Sequence, residues 1–137
     1  MSTSPTRLPF SSGQMARLIL AGVVFWFVGA LICRWVGTIG AFDGANRALL
    51  YAALVPGTFP VILLVRRIAG LAADQVALGS AVVTAAAIAC DGVALAMIPQ
   101  LYGAGIEQTA ASGAVILWGG AVAIAIGCWL NRVPAPR

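Results

Sequence analysis

Four long apolar segments, separated by short polar stretches, dominate the pattern along the chain. They cover about residues 17–36, 47–65, 75–98 and 112–130. Each has close to the ~20 residues that an α-helix needs to cross a hydrocarbon core of about 30 Å. The alternation typical of barrel strands is absent, and a single strand would leave its backbone groups unpaired in lipid. The pattern predicts an all-α fold, an integral membrane bundle of four transmembrane helices.

Composition supports lipid as the solvent for most of the chain. Only 9% of the 137 residues are charged and 61% are hydrophobic, whereas about 25% of an ordinary soluble domain is charged. So few charges could not cover the surface of a water-soluble fold. We therefore predict one membrane domain, residues 1–137, with polar tails at residues 1–14 and 131–137.

Arginines flank the apolar segments unevenly, and this predicts the topology. Six lie on the side of the two termini: Arg7, Arg17, Arg66, Arg67, Arg132 and Arg137. Only Arg34 and Arg47 lie on the other side. Because cytoplasmic loops carry the excess of basic residues, both termini are expected in the cytoplasm. The expected location is the cytoplasmic (inner) membrane of a bacterium, since a chain without Lys fits a GC-rich genome.

Asp91 lies well inside the third apolar segment. It is roughly 10 Å below the outer end of that segment, at about 1.5 Å per helical residue. An ionised carboxylate without a partner is costly at this depth, so Asp91 is expected to be protonated or to have a partner. Two interpretations stay open: a proton or cation site, and a structural polar anchor between helices.

Arg34, near the end of the first segment, is the expected partner of Asp91. Helical side chains lean toward the N-terminus of their helix, which would direct Arg34 into the membrane. An ion pair with Asp91 is one alternative. In the other, the guanidinium extends to the outer interface.

Two prolines lie within the second segment and predict a helix kink. Pro56 and Pro60 lack backbone donors, so the carbonyls of Ala52 and Pro56 lose their helical partners. Thr58 and Arg34 are candidates to satisfy them. The functional alternative is a small polar cavity at a broken helix, as transporters use. The structural alternative is a static kink that shapes packing.

Glycines recur every seven residues on two of the segments. The predicted helix-packing positions are Gly22, Gly29, Gly113, Gly120 and Gly127. Stripes of small residues let helices approach closely, and packing drives helix association in lipid. The stripes predict packing within one bundle or, alternatively, the seam of a homodimer.

Residue types common in enzyme and metal sites are scarce. The sequence has no His, and Cys33, Cys90 and Cys128 form no CxxC pair. Metal sites require clustered Cys, His or carboxylate ligands, so no metal, no other cofactor and no enzymatic activity are expected. The net charge of +4 comes from arginines beside apolar segments, so nucleic acid is not an expected partner. The expected partners are the lipid bilayer and a second copy or another membrane protein.

Three short motifs lie along most of the chain. They are Cys33-Arg34, residues 91–95 followed by Pro99 and Tyr102, and residues 113–118. Together they resemble a family of small bacterial four-span membrane proteins of unknown function. The resemblance implies a four-helix fold and no assigned activity. Small multidrug transporters resemble the chain only in size, because their intramembrane Glu lies in the first span and residues 18–33 contain no acid.

Two functions remain open at this point. The first is a non-enzymatic structural or partner-binding role, in which the polar residues fix the helix bundle. The second is a small transporter or a proton- or ion-conducting subunit that uses Asp91.

Overall fold

The computed structural model describes residues 9–131. The remaining parts of the predicted tails, with Arg7, Arg132 and Arg137, lie outside the described residues. Within residues 9–131 the chain forms four α-helices, α1 (Ser12–Thr38), α2 (Gly44–Ala69), α3 (Val76–Met97) and α4 (Ile106–Leu130), and a 3-10 helix at Pro99–Leu101. All four α-helices are long and apolar enough to cross a membrane. The predicted all-α bundle is confirmed, and the chain is a multi-pass membrane protein.

The helices extend beyond several predicted apolar segments. α1 begins at Ser12, because Ser11 and Gln14 form a capping box, so part of the predicted tail is helical. α4 begins at Ile106 and carries Glu107 in its first turn, where a loop was expected. The capping box of α1 and the acidic first turn of α4 are polar features that favour a helix start, and hydropathy alone does not detect them.

The helices surround a central space in the order α1, α3, α4, α2. α3 packs most extensively against α1 and α4, while α2 packs mainly against α4. We call the side with the loops 39–43 and 98–105 the loop end. The opposite side, with residues 9–11, 70–75 and 131, is the terminal end.

Two of the predicted packing glycines lie where helices approach most closely. A Cβ atom added at Gly22 of α1 would lie 2.6 Å from the carbonyl oxygen of Val83 and 2.7 Å from Cβ of Ala86, both on α3. One added at Gly127 of α4 would overlap the side chain of Ser80 on α3. Glycine is therefore required at both positions for the observed helix separation.

The other three predicted packing glycines differ in their surroundings. A Cβ at Gly120 would lie 3.1 Å from side-chain atoms of Ile88 and Thr84, and one at Gly113 would lie 3.8 Å from Leu95. A Cβ at Gly29 would have nothing within 4 Å. Four of the five glycines thus face a neighbouring helix, and Gly29 faces open space.

Aromatic side chains connect α2 to α4. The rings of Tyr51 and Trp118 stack with centroids 5.8 Å apart, and Nε1 of Trp118 donates a hydrogen bond to the backbone oxygen of Tyr51 at 3.1 Å. Phe59 and Trp129 form a second, tilted pair at 6.2 Å. These contacts hold α2 beside α4.

The terminal end is closed by an apolar cluster and by two glutamines. Leu18 of α1 packs there in one buried cluster with Val65 and Ala69 of α2. Nε2 of Gln14 donates to the carbonyl oxygen of Gly70 at 2.9 Å, and Oε1 of Gln75 accepts from the backbone N–H of Ala72 at 2.8 Å. The bond of Gln14 joins the start of α1 to the loop between α2 and α3, and the bond of Gln75 lies within that loop.

α2 continues as an α-helix through both prolines, so the segment is not broken at Pro56 or Pro60. Oγ1 of Thr58 donates to the carbonyl oxygen of Leu54, one turn earlier, at 2.6 Å. Arg34 binds a loop carbonyl elsewhere. Neither side chain therefore satisfies the carbonyls that the prolines free, which corrects the expectation from the sequence. The physical reason is that a Thr hydroxyl in a helix reaches the preceding turn of its own helix most easily.

Candidate functional site

Asp91 is buried in α3 at the end of a chain of three hydrogen-bonded side chains. Oη of Tyr102 donates to Oδ1 of Asp91 at 2.6 Å, and Nε1 of Trp26 donates to Oη of Tyr102 at 2.9 Å. The exposed fraction is 5% for Asp91 and 0% for Tyr102. The chain joins α1, α3 and the loop between α3 and α4, so Asp91 does have a neutral partner inside the bundle.

The turn after α3 places Tyr102 over Asp91. α3 ends at Met97, and Pro99 occupies the start of the 3-10 helix, where its missing donor costs nothing. The backbone N–H of Tyr102 closes that helix on the carbonyl oxygen of Pro99 at 3.0 Å. Oγ of Ser112 donates to the carbonyl oxygen of Tyr102 at 3.4 Å. Tyr102 therefore points back into the bundle and is not the interfacial ring that its position after a helix end suggests.

Burial affects the phenol of Tyr102, which lies outside the membrane-spanning helices. Loss of solvent raises the pKa of Tyr102, and its hydrogen bond to Asp91 raises that pKa further. The phenol consequently keeps its proton and remains the donor in the bond to Asp91.

Arg34 lies at the loop end and does not reach Asp91. Its Nη1 donates to the backbone oxygen of Gln100 at 2.6 Å, and Nε2 of Gln108 donates to the backbone oxygen of Arg34 at 3.1 Å. The expected ion pair between the described side chains Arg34 and Asp91 does not form, because the guanidinium binds the backbone oxygen of Gln100 at the loop end, while Oδ1 of Asp91 accepts from Tyr102. Arg34 instead fastens the loop that carries Tyr102.

A cleft of about 550 Å³ lies between the four helices and ends at Asp91. Its walls are mostly apolar. Besides Asp91, the described polar side chains that line it are Thr58, Ser80 and Thr84, with the indole of Trp26. Asp91 is the one ionisable side chain among the described residues of this lining. The structure thus places Thr58 and Asp91 on the same cleft and leaves Arg34 outside it.

Glycines on three different helices create much of this space. Gly29 of α1, Gly57 of α2 and Gly119 of α4 all line the cleft. A Cβ atom added at any of them would have nothing within 4 Å. The cleft therefore exists where side chains are missing from three walls.

The cleft opens sideways between α1 and α2. Val28 and Ile32 of α1 and Ala53 and Gly57 of α2 line it and are also exposed. At the terminal end the same two helices are in contact through Leu18 and the end of α2. A molecule dissolved in the bilayer could therefore enter between α1 and α2 without passing through water.

One polar side chain of the lining, Ser80, has no hydrogen-bond partner among the described residues, and Cys33 lies close to Asp91 outside the lining. Ser80 is 1% exposed, and the atom without a partner is its Oγ. Cys33 is buried beside Ser112 and near Asp91. Within residues 9–131, no three Cys, Asp or Glu side chains are close enough to hold a metal ion.

Sequence reasoning missed three residues of this site. Trp26 and Tyr102 complete the hydrogen-bonded chain, and Gln108 binds the end of α1. Trp26 looks like one more apolar residue of a span, so nothing in the local pattern marks it. A weak signal existed for Tyr102, because the proline three residues before it predicts a turn that could fold back over the helix.

Comparison of the chain with protein-family models, with curated proteins and with solved structures finds no match. The site must therefore be interpreted from its own geometry.

Proposed function

We propose that this protein has a non-enzymatic, partner-binding role in which it takes up a hydrophobic molecule from the bilayer into the central cleft. The observation that carries the proposal is the cleft itself, lined by all four helices and opening between α1 and α2. Its volume of about 550 Å³ is in the usual range of small-molecule pockets, about 300–1,000 Å³.

The hydrogen-bonded chain supports a structural contribution of the polar residues. Trp26, Tyr102 and Asp91 connect two helices and a loop at one end of the cleft. This arrangement fixes the position of the carboxylate and the orientation of the indole. We propose no enzymatic activity, because the described lining offers Asp91 no second strong acid or base for proton transfer.

Filling the cleft tests the proposal. Gly29→Leu and Gly119→Leu would place side chains into open space, and Gly92→Leu on α3 is the matched control. Gly92 is exposed, has equally open surroundings and does not line the cleft. Equilibrium dialysis of the protein in lipid nanodiscs measures binding of two probes with the same four phenyl rings, tetraphenylphosphonium and tetraphenylborate, with protein-free nanodiscs as background.

The expected result is saturable binding of at least one probe to the native protein and to Gly92→Leu. Both cleft variants should bind it about tenfold more weakly or worse, since the volume that the rings need is occupied. Equal binding by the native protein and the two cleft variants would refute a binding role for the cleft.

A second candidate function is a small transporter or a proton- or ion-conducting subunit that uses Asp91. The observation in its favour is that Asp91 lies on the cleft and not in a sealed core. In liposomes, a probe or proton flux above that of empty vesicles, lost in Asp91→Asn, would support it. A flux that Asp91→Asn leaves unchanged would exclude Asp91 as the group responsible.

We also propose that both termini face the cytoplasm of a bacterial cell, with the chain in the inner membrane. The distribution of arginines supports this orientation, and the family resemblance supports the bacterial setting. Reporter fusions after Arg137 and within residues 100–105 test it. Periplasmic activity of the fusion at Arg137 would show that the topology is the reverse of the one proposed.

Association with a second copy remains a proposal, but the glycine stripe of α4 does not support it. Gly113, Gly120 and Gly127 face α3 within the same chain. A homodimer would therefore need another surface, and the distribution of masses measured by light scattering in detergent would show whether it forms.

A further inference from the structure

We propose that the occupant of the cleft is a hydrophobic organic monocation and that Asp91 is its counter-ion. This inference rests on the proposed binding role of the cleft and specifies the chemistry of the molecule bound. Three features of the described residues support it: a carboxylate without a cationic partner, an oriented indole and an apolar lining.

The charge of the occupant follows from the partners of Asp91. Arg34, the partner of Asp91 expected from the sequence, instead binds the backbone of Gln100. Tyr102 donates its single proton to Oδ1, which leaves Oδ2 without a hydrogen bond from any described residue. Asp91 is the one described ionisable group of the lining. A cation beside it would supply the opposite charge that stabilises the ionised form of a buried carboxyl group.

The wall beside Asp91 suits an organic cation with a delocalised charge. Trp26 lines the cleft and is held by its hydrogen bond to Tyr102. A fixed indole face attracts cations, and the attraction grows when both groups are desolvated. Phe25 adds a second ring to the lining.

Calcium and magnesium do not fit the same lining. Calcium takes about six to eight oxygen ligands and magnesium keeps several waters. The described cleft provides one carboxylate and three hydroxyl side chains. Two of the hydroxyls, those of Ser80 and Thr84, lie about three and two helical turns along α3 from Asp91. The remaining surface is apolar. An occupant that matches this lining brings an apolar body that replaces lipid and a single positive charge that meets Asp91.

Entry through the opening between α1 and α2 agrees with this chemistry. A hydrophobic cation dissolves in the bilayer interface and can move sideways into the cleft. The exposed side chains of Val28 and Ile32 at the opening are apolar, so the body of the molecule passes between surfaces like those of lipid chains. The charge is then stabilised only when it reaches the end of the cleft at Asp91.

Charge selectivity is the measurement that decides the inference. Tetraphenylphosphonium and tetraphenylborate have the same shape and opposite charges, so their binding in nanodiscs separates charge from volume. We expect the native protein to bind the phosphonium about tenfold more tightly than the borate, or better. Asp91→Asn should remove this preference.

Asp91→Asn should leave the fold intact, and this can be checked directly. Its side-chain oxygen can still accept the hydrogen bond from Tyr102, and an unchanged circular dichroism melting curve would show that the bundle is intact. Gly92→Leu serves again as the control and should retain the native preference. In that variant the neighbour of Asp91 changes, but the cleft does not.

Each outcome separates the inference from the role on which it rests. Cleft-dependent binding without a preference for the phosphonium, or with a preference that persists in Asp91→Asn, overturns the cation inference and leaves the binding role. Binding that Gly29→Leu and Gly119→Leu do not weaken overturns both. Absence of saturable phosphonium binding by the native protein overturns the cation inference directly.

Discussion

Gly22 and Gly29 lie on the same helix, seven residues apart, and the structure predicts opposite effects for the same substitution. In Gly22→Ala the new methyl group would lie 2.6 Å from a backbone oxygen of α3 and 2.7 Å from the methyl of Ala86. In Gly29→Ala it would lie in open space. The two variants therefore share the chemical change and differ only in the neighbouring atoms.

The expected magnitudes follow from two opposing terms. Relief of the contact at Gly22 requires α1 and α3 to separate, because a backbone oxygen cannot rotate away, and overpacking costs about 1–3 kcal/mol. Replacing a helical glycine by alanine raises the free energy of unfolding by up to about 1 kcal/mol at either site, because alanine favours the helix more than glycine does. Because the gain from alanine is the same at both sites, Gly22→Ala should be less stable than Gly29→Ala by about 1–3 kcal/mol. Gly29→Ala should leave the free energy of unfolding unchanged or raise it by up to about 1 kcal/mol.

Reversible unfolding in mixed micelles, followed by circular dichroism as the fraction of denaturing detergent rises, measures both values against the native protein. Adding Ala86→Gly to Gly22→Ala supplies a further check. It removes one of the two close contacts but not the carbonyl of Val83, and on its own it costs up to about 1 kcal/mol as an Ala-to-Gly change in a helix. The double variant should therefore be more stable than the sum of the two single effects predicts. Equal midpoints for Gly22→Ala and Gly29→Ala would refute the inferred packing of α1 against α3.

Two further predictions concern the polar groups. Tyr102→Phe leaves a carboxylate oxygen and an indole N–H without their partner, so it should lower the free energy of unfolding by about 1–3 kcal/mol. Tyr51→Phe, which keeps its ring stack with Trp118, is the control. Equal losses of stability in the two variants would mean that the hydroxyl of Tyr102 contributes nothing beyond its ring. Arg34→Leu and Asp91→Asn should be additive to within about 0.5 kcal/mol in a double-mutant cycle, since the two side chains have different partners. A larger coupling would show that they interact, either directly or through the loop 98–105 that both contact.

The fold could be predicted from the sequence because lipid imposes a simple requirement on it. A backbone in hydrocarbon must satisfy its own hydrogen bonds, so each long apolar segment has one available structure. The helix ends were harder, since Ser11, Gln14 and Glu107 are polar and yet cap or begin helices. At such positions the stabilising groups are hydrogen bonds and charges, which an apolar pattern does not record.

The candidate site was predictable only in part. Asp91 could be identified because an acid within an apolar segment is rare and costly. Its partner could not, because the choice between Arg34 and Tyr102 depends on how the chain turns after Pro99. Gly22 and Gly29 are equivalent in any sequence pattern, and only the tertiary arrangement makes one a packing contact and the other part of a cleft wall.

The persistence of an open cleft has a physical explanation that also bears on its selectivity. In water, burial of apolar walls would favour closure by about 25 cal/mol per Å². In a bilayer that driving force is absent, because lipid chains are as apolar as the walls, and only packing favours closure. The aromatic pairs of α2 hold it beside α4, and Gly29, Gly57 and Gly119 offer no side chains to fill the space.

Because lipid chains are as apolar as the cleft walls, a neutral hydrophobic molecule gains only packing when it leaves lipid for the cleft. A hydrophobic cation gains that packing and an ion pair, so Asp91 is the group through which this cleft can distinguish one bilayer-dissolved molecule from another.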